Sequence, residues 1–187
     1  MKKILREHIE KLIPLTDDEF SFVLSHFSAE QYDKNDFIFR KGEKVKNCYF
    51  IISGLLKLVY DDKDGKQHIV SFALEDWWES DFSAYFSEAN TKMSLQSIED
   101  SITFSLSLKN YHKLSAEFPK MQRFFLNKSN TGHIASQHRI LSFLTSNARE
   151  RYDQLIKQYP LLVQRVPKTL LASYLGVSRE TLSRLSH

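Results

Sequence analysis

Gly176 splits the last two dozen residues into two short segments, and that split constrains the fold more than any other feature. Before it, Leu170, Leu171, Tyr174 and Leu175 fall at helical spacing. Gly176 stops that helix because it enters the left-handed conformation that residues bearing a Cβ resist. Val177 is placed to fill the angle between the segments, and Ser178 is a good N-cap for the second. The second segment opens with Arg179, Glu180 and Thr181 and continues through Leu182, Ser183, Arg184 and Leu185. Leu182 and Leu185 can face a core while the charged residues face out. This is the layout of a helix-turn-helix. Arg can make a bidentate contact to guanine and Glu can accept from the cytosine amino group, so such a helix suits the major groove. A plain surface hairpin with solvated charges would carry the same pattern.

Charge distribution favours the nucleic-acid reading. Residues 160–187 hold Arg165, Lys168, Arg179 and Arg184 against the single acid Glu180, a net of +3 that equals the net charge of the whole chain. The excess therefore sits where phosphate neutralisation would need it.

The 187 residues suffice for one medium domain and a small one, and fourteen Phe with eight Tyr predict a well-filled core. No apolar run is long enough to span a bilayer, and Met1-Lys2-Lys3 leads into no signal-peptide core, so a soluble cytoplasmic protein without membrane contact is expected. A lone cysteine, Cys48, excludes an internal disulfide and a four-cysteine metal site within one chain. Cys48 begins an apolar strand and reads as a passive strand residue. His133 and His138 are five apart, not the three or four that would put two ligands on one helix face. No phosphate-binding glycine loop and no nucleophile–base grouping stands out. The expectation is a non-enzyme with no catalytic residues, no metal and no cofactor.

Periodicity divides the chain into three stretches. Residues 1–28 read as two helices, the second starting after Pro14 with Thr16 as N-cap and Glu19 completing a capping box. From Ala29 to about Leu108 the pattern changes to short β-rich runs: Phe37 and Phe39, Tyr49 to Ile52, Leu55 to Tyr60, His68 to Phe72, Met93 to Ile98, and Ile102 to Leu106. Turn residues separate them, including Ser53-Gly54 and the hairpin loop Asp61-Asp62-Lys63-Asp64-Gly65. Many short strands at such spacing predict a sandwich or jelly-roll barrel. Helices return at Lys109, and Pro119 starts a long one reaching about Leu144. Ser146-Asn147 reads as a hinge or N-cap before a helix over Ala148 to Tyr159, which Pro160 ends. Leu161 to Val166 reads as a short linker or strand. On the long helix Met121, Phe124, Phe125, Ile134, Leu141 and Leu144 are spaced for burial, either against the chain's own barrel or also against a twin helix.

Barrel, long helix, short helix and terminal helix-turn-helix, in that order, resemble the cyclic AMP receptor protein and Fnr (Crp-Fnr) family of bacterial transcription regulators. The resemblance covers nearly the whole chain. Its sharpest element is Ser178-Arg179-Glu180-Thr181 followed by Arg184, supported by Gly42, by Gly54 after Tyr49-Phe50-Ile51-Ile52-Ser53, and by Asp64-Gly65-Lys66. It implies an α+β chain with an N-terminal cyclic-nucleotide-binding-like jelly-roll barrel, a long dimerisation helix and a C-terminal helix-turn-helix. The implied units are residues 1–118, 119–145 and 146–187. It further implies a homodimer on a palindromic operator in double-stranded DNA, with RNA polymerase as a partner to recruit or block. Arg179, Glu180 and Arg184 would read bases, Lys168, Thr169 and Ser178 would hold phosphates, and Thr181 and Ser183 would complete the DNA-facing set. Only nine residues follow Ser178, so no wing is expected after the recognition helix.

The effector pocket departs from the family. Nucleotide-binding members carry a Gly-Glu pair and, about ten residues on, an Arg followed by small residues. Here Glu79 and Ser80 stand at the pair, and Lys92, Met93 and Ser94 at the Arg stretch. Glu79 adds bulk and negative charge beside a phosphate, Ser80 keeps one weak ribose contact, and Lys92 lacks the bidentate fork. Ser136 and Gln137 fall where the long helix would reach a ligand. The expectation is a regulator not gated by cyclic AMP, its small-molecule effector unidentified. Two alternatives stay open: an effector-binding barrel that regulates a protein partner, and a true cyclic-nucleotide switch using Lys92 and backbone donors.

Overall fold

Thr16 starts the second helix as the sequence predicts: its Oγ1 accepts from Glu19 N–H at 3.2 Å while the Glu19 carboxylate accepts from Thr16 N–H at 2.9 Å. The computed structural model describes residues 1–185. After α1 (Lys2–Glu10) and α2 (Asp17–Leu24) come β1 (Phe27–Tyr32), β2 (Phe37–Phe39), β3 (Asn47–Ser53), β4 (Leu56–Asp61), β5 (Gln67–Ala73) and β6 (Trp78–Glu79). A short helix α3 (Phe82–Ser87) precedes β7 (Ser94–Ser97) and β8 (Ser101–Ser107). The remainder is helical: α4 (Leu108–Glu117), α5 (Pro119–Thr145), α6 (Ala148–Gln158), α7 (Pro160–Arg165), α8 (Lys168–Leu175) and α9 (Arg179–Leu185).

The strands form two antiparallel four-stranded sheets, ordered β1-β8-β3-β6 and β2-β7-β4-β5, in the jelly-roll manner that packs two sheets face to face. Gly54, at φ +106, turns the chain from β3 into β4; a Cβ there would run into the backbone and side chain of Ser101. Between the sheets lies the main core, which includes Phe50, Leu56, Leu58, Leu95 and Leu106 and takes in Leu5 and Ile9 of α1 and Met121, Phe124 and Phe125 of α5.

β4 is buried on both faces. Strand alternation sends Leu58 into the main core and Val59 into a second one, and a bulge at Val70 of β5 lets Ile69 and Phe72, three residues apart, both face that second core. That second core sits between the outer face of β4–β5 (Val59, Ile69, Phe72) and the C-terminal helices (Tyr152, Leu162, Leu171, Leu175, Leu182). Ser173 Oγ donates to Gln67 O at 2.9 Å across the junction. The head therefore packs on the barrel, a contact the sequence pattern did not foretell.

Three further differences have local causes. The segment expected as a linker or strand is α7, because Pro160 stands in its first turn, where its fixed φ and missing N–H suit a helix start. α3 was not anticipated; Asp81 caps it by accepting Ala84 N–H at 3.1 Å. Strand structure begins at Phe27, two residues earlier than predicted. No helix among the described residues is long and apolar enough to cross a membrane. The expected lack of a wing concerns chain beyond Leu185, outside the described residues.

Candidate functional site

The two C-terminal helices meet through a tight backbone turn. Val177 N–H donates to Ala172 O at 3.0 Å and Gly176 N–H to Ser173 O at 3.1 Å, closing α8 with Gly176 at φ +69. These paired bonds satisfy carbonyls that a helix end otherwise leaves open. Ser178 Oγ then accepts Thr181 N–H at 3.1 Å and starts α9. Leu182 is buried, and Val177 and Leu185 pack beside it against the second core. With the apolar side anchored, Arg179, Glu180, Ser183 and Arg184 are exposed, as are Lys168, Thr169 and Ser178; Thr181 is half-buried. Seven of the eight sequence-predicted residues are therefore exposed, on α8, on α9 and at the turn between them. Ser178 serves the cap as an acceptor, a role that does not use its O–H donor.

Arg165 does not join that surface. Its guanidinium bonds Glu75 at 2.7 and 3.0 Å and Glu99 at 2.6 and 3.2 Å, both on the barrel. One of the four basic residues counted toward phosphate neutralisation is therefore spent on holding the head to the barrel. The partners lie 66 and 90 positions away in sequence, so charge counting along the chain could not find them.

Between barrel, long helix and head lies a cavity of about 890 Å³. Glu79, Ser80 and Ser136 line it, so three of the expected effector-pocket residues come together. The others stand elsewhere. Lys92 and Gln137 are exposed, Met93 packs against the main core, and Ser94 Oγ accepts from Lys41 N–H at 3.0 Å. The reason lies in the loop after α3: Thr91 turns inward instead, donating from Oγ1 to Asp81 Oδ2 at 2.6 Å.

Asp81 is buried, and its carboxylate already occupies the N-terminus of α3. Glu79 is also buried; its Oε2 accepts from Ser71 Oγ at 2.5 Å and its Oε1 from Ser80 N–H at 3.0 Å. Burial pushes its carboxyl up to about 7, with the nearby Asp81 charge adding to the rise and the Ser71 and Ser80 bonds opposing it. Two buried carboxyl groups thus stand two residues apart at the start of α3, Glu79 on the cavity wall and Asp81 behind it. Cys48 lines the cavity as well, with its Sγ directed at Leu106 O at 3.7 Å and its thiol pushed up to about 12 by burial, as expected of a passive strand residue.

The cavity wall also carries cations that sequence reasoning missed. Arg139 donates to Ile69 O and Tyr174 O at 3.2 and 3.1 Å and lies 3.7 Å over the Tyr174 ring. Arg151 donates to Ser146 O and Leu175 O at 2.6 and 3.2 Å. Both guanidiniums hold the last carbonyls of α8. Lys128, half-buried one turn after Phe124, forms no ion pair within 4.0 Å among the described residues.

Residues 29–118 match the family model described as "Cyclic nucleotide-binding domain". The arrangement of barrel and helices is similar to FixK2 from Bradyrhizobium japonicum, with a TM-score of 0.73 at 16% identity over 86% of this chain and 82% of that one. The chain shares the fold of that protein and, over residues 29–118, the sequence pattern of the cyclic nucleotide-binding domain. Among curated relatives, the cAMP-activated global transcriptional regulator CRP of Salmonella typhimurium is 30% identical over 59 residues, 32% of this chain. That match spans 28% of the relative's own length. Electron transport regulator A of Shewanella oneidensis is 24% identical over 166 residues, covering 81% of this chain and 64% of that protein.

Proposed function

We propose that this chain is a Crp-Fnr-type, sequence-specific DNA-binding regulator of transcription that acts as a homodimer and is not gated by cyclic AMP. One observation carries the DNA reading. The closed turn at Gly176 and the buried Leu182 present Arg179, Glu180 and Arg184 together on the exposed side of α9. Arg179, Glu180 and Arg184 contact base edges, Lys168, Thr169 and Ser178 hold phosphates, and Thr181 and Ser183 complete the surface. Residues 1–118 are the effector barrel, 119–145 the dimer helix and 146–187 the reading head. A partner helix covers Ile134, Leu141 and Leu144 of α5, which are exposed at 50%, 56% and 78% in the single chain. Their spacing of seven and three residues is that of a coiled-coil seam. Dimerised heads contact half-sites of a palindrome, and bound there the protein recruits or blocks RNA polymerase.

Independence from cyclic AMP follows from the buried Glu79 and Asp81 carboxyl groups and from the exposed position of Lys92. The test is retention of a labelled duplex DNA pool with rising salt. Affinity is expected to fall steeply with salt, and Arg179→Ala or Arg184→Ala should each cost about 1–3 kcal/mol at a specific site while fold and dimer persist. Salt-insensitive capture of a protein without DNA retention would instead favour a barrel that regulates a protein partner.

A further inference from the structure

The cavity between barrel, long helix and head has a consistent chemistry. Its walls are mostly aromatic near the N-terminal end of α5: Phe125 stacks on Tyr111 with centroids 4.4 Å apart, Phe86 meets Tyr111 at 5.2 Å, and Trp78 lies 6.5 Å from Phe125. At about 890 Å³ it is large enough for a drug-sized molecule. Lys128 stands at this aromatic end, its ammonium 5.6 Å from the Phe124 ring centroid. Asp76, a carboxylate whose charge Lys128 feels, is already held by His8 at 2.6 Å and by Lys11. Burial lowers the Lys128 pKa, the signature of a cation short of compensation. Further along the wall, Arg139 and Arg151 bond only carbonyls and rings, with no carboxylate partner among the described residues. Three cations therefore face this cavity against the single carboxyl of Glu79, itself pushed toward its neutral form.

We infer that the cavity binds an organic monoanion with a large aromatic body, the acid group meeting Lys128 and the rings packing among Trp78, Phe86, Tyr111 and Phe125. The inference deepens the reading of the barrel as an effector domain and rests on it. Lys128 is a single point charge without the bidentate fork that suits a phosphate, and a monoanion there gains a charge-assisted hydrogen bond in a partly desolvated site. The same wall ends in Arg139 and Arg151, which hold Tyr174 O and Leu175 O, so an occupant reaches the groups that position the terminal helices.

A matched pair of fluorescent probes tests this on the full chain without DNA, so its failure is distinguishable from failure of DNA recognition. 1-Anilinonaphthalene-8-sulfonate and N-phenyl-1-naphthylamine share one aromatic body and differ by the sulfonate. We expect one sulfonate-probe site per chain, bound at least about tenfold more tightly than the neutral probe, the ratio one hydrogen bond to a charged group supplies. Lys128→Met should abolish that ratio and Lys128→Arg should keep it, with unchanged circular dichroism. 4-Phenylbutyrate should displace the probe and cyclic AMP should not. Equal affinity for the two probes on the native chain, or a ratio that survives Lys128→Met, would overturn the inference. So would displacement by cyclic AMP alone. Should Lys128→Met fail to fold, the probe ratio on the native chain decides by itself.

Discussion

Arg165 and Glu75 grip each other with two parallel hydrogen bonds, Nη1 to Oε2 at 2.7 Å and Nη2 to Oε1 at 3.0 Å, between residues 90 positions apart. The pair joins the end of α7 to the loop after β5, and Gly54 N–H donates to the same Glu75 Oε1 at 2.9 Å. Both side chains keep solvent contact, at 27% and 40% exposure, so the pair acts through geometry more than through energy. Arg165→Met should cost only about 1 kcal/mol in urea unfolding. It should nevertheless raise hydrogen exchange of the α8 amides, because the head loses a polar tie to the barrel. Unchanged exchange in α8 would mean that the apolar junction alone holds the head.

Gly176 should tolerate no side chain. It combines φ +69 with a neighbour, Phe143 Cε1, only 3.0 Å from where a Cβ would stand. Gly176→Ala is expected to destabilise by about 1–2 kcal/mol from the left-handed backbone alone, with the Phe143 contact adding to it. Gly132 offers the opposite case on α5, with nothing within 4 Å of a Cβ, and Gly132→Ala should stabilise by about 0.5–1 kcal/mol. Thermal melts of the two variants should shift in opposite directions.

Glu79 makes a pH prediction whose sign is fixed. Its carboxyl is raised by burial from the ordinary 4.5 to about 7, so the folded chain binds a proton more readily than the unfolded one between those values. Its contribution is fully present below about pH 4.5 and is lost as pH rises through about 7, by about 3 kcal/mol. His8 slopes the other way: burial first, then the Lys128 charge, pull its imidazole down to about 4, so its contribution is lost as pH falls from 6.5. The difference between native chain and Glu79→Gln isolates the first effect. Glu79→Gln should gain stability relative to the native chain from pH 5 to pH 8; a flat difference would place no proton on Glu79.

The exposed seam on α5 predicts the oligomeric state. Leu141→Asp puts a charge at the centre of the Ile134, Leu141, Leu144 stripe, where the single chain makes no compensating contact. Sedimentation should show dimers of the native chain and monomers of the variant at equal helicity. A variant that remained dimeric would move the interface elsewhere.

Local signals were legible in the sequence and distant ones were not. The capping box at Thr16, the hairpin after Asp61 and the stop at Gly176 are each specified within about five residues and form as read; Ser146-Asn147, read as a hinge or N-cap, supplies the N-cap, completed into a box by Glu150. Of the cavity, Glu79, Ser80 and Ser136 were found because a family spacing pointed to them. Lys92 was misplaced because α3 and the inward turn of Thr91 redirect the loop. Lys128, Arg139 and Arg151 were missed because their significance lies in which carboxylates they lack, a property of packing. Arg165 was assigned to the reading head because its partners lie on the far side of the sequence.

The most direct test of the central claim is selection of binding sites from a random duplex pool by the purified chain, run with and without cyclic AMP. The account predicts an enriched palindrome, its half-sites about one helical turn apart, without nucleotide and unchanged by it. Enrichment only with cyclic AMP would contradict the reading of the Glu79–Asp81 pocket, and no enrichment in either arm would contradict the assignment of α9 as a DNA-reading helix.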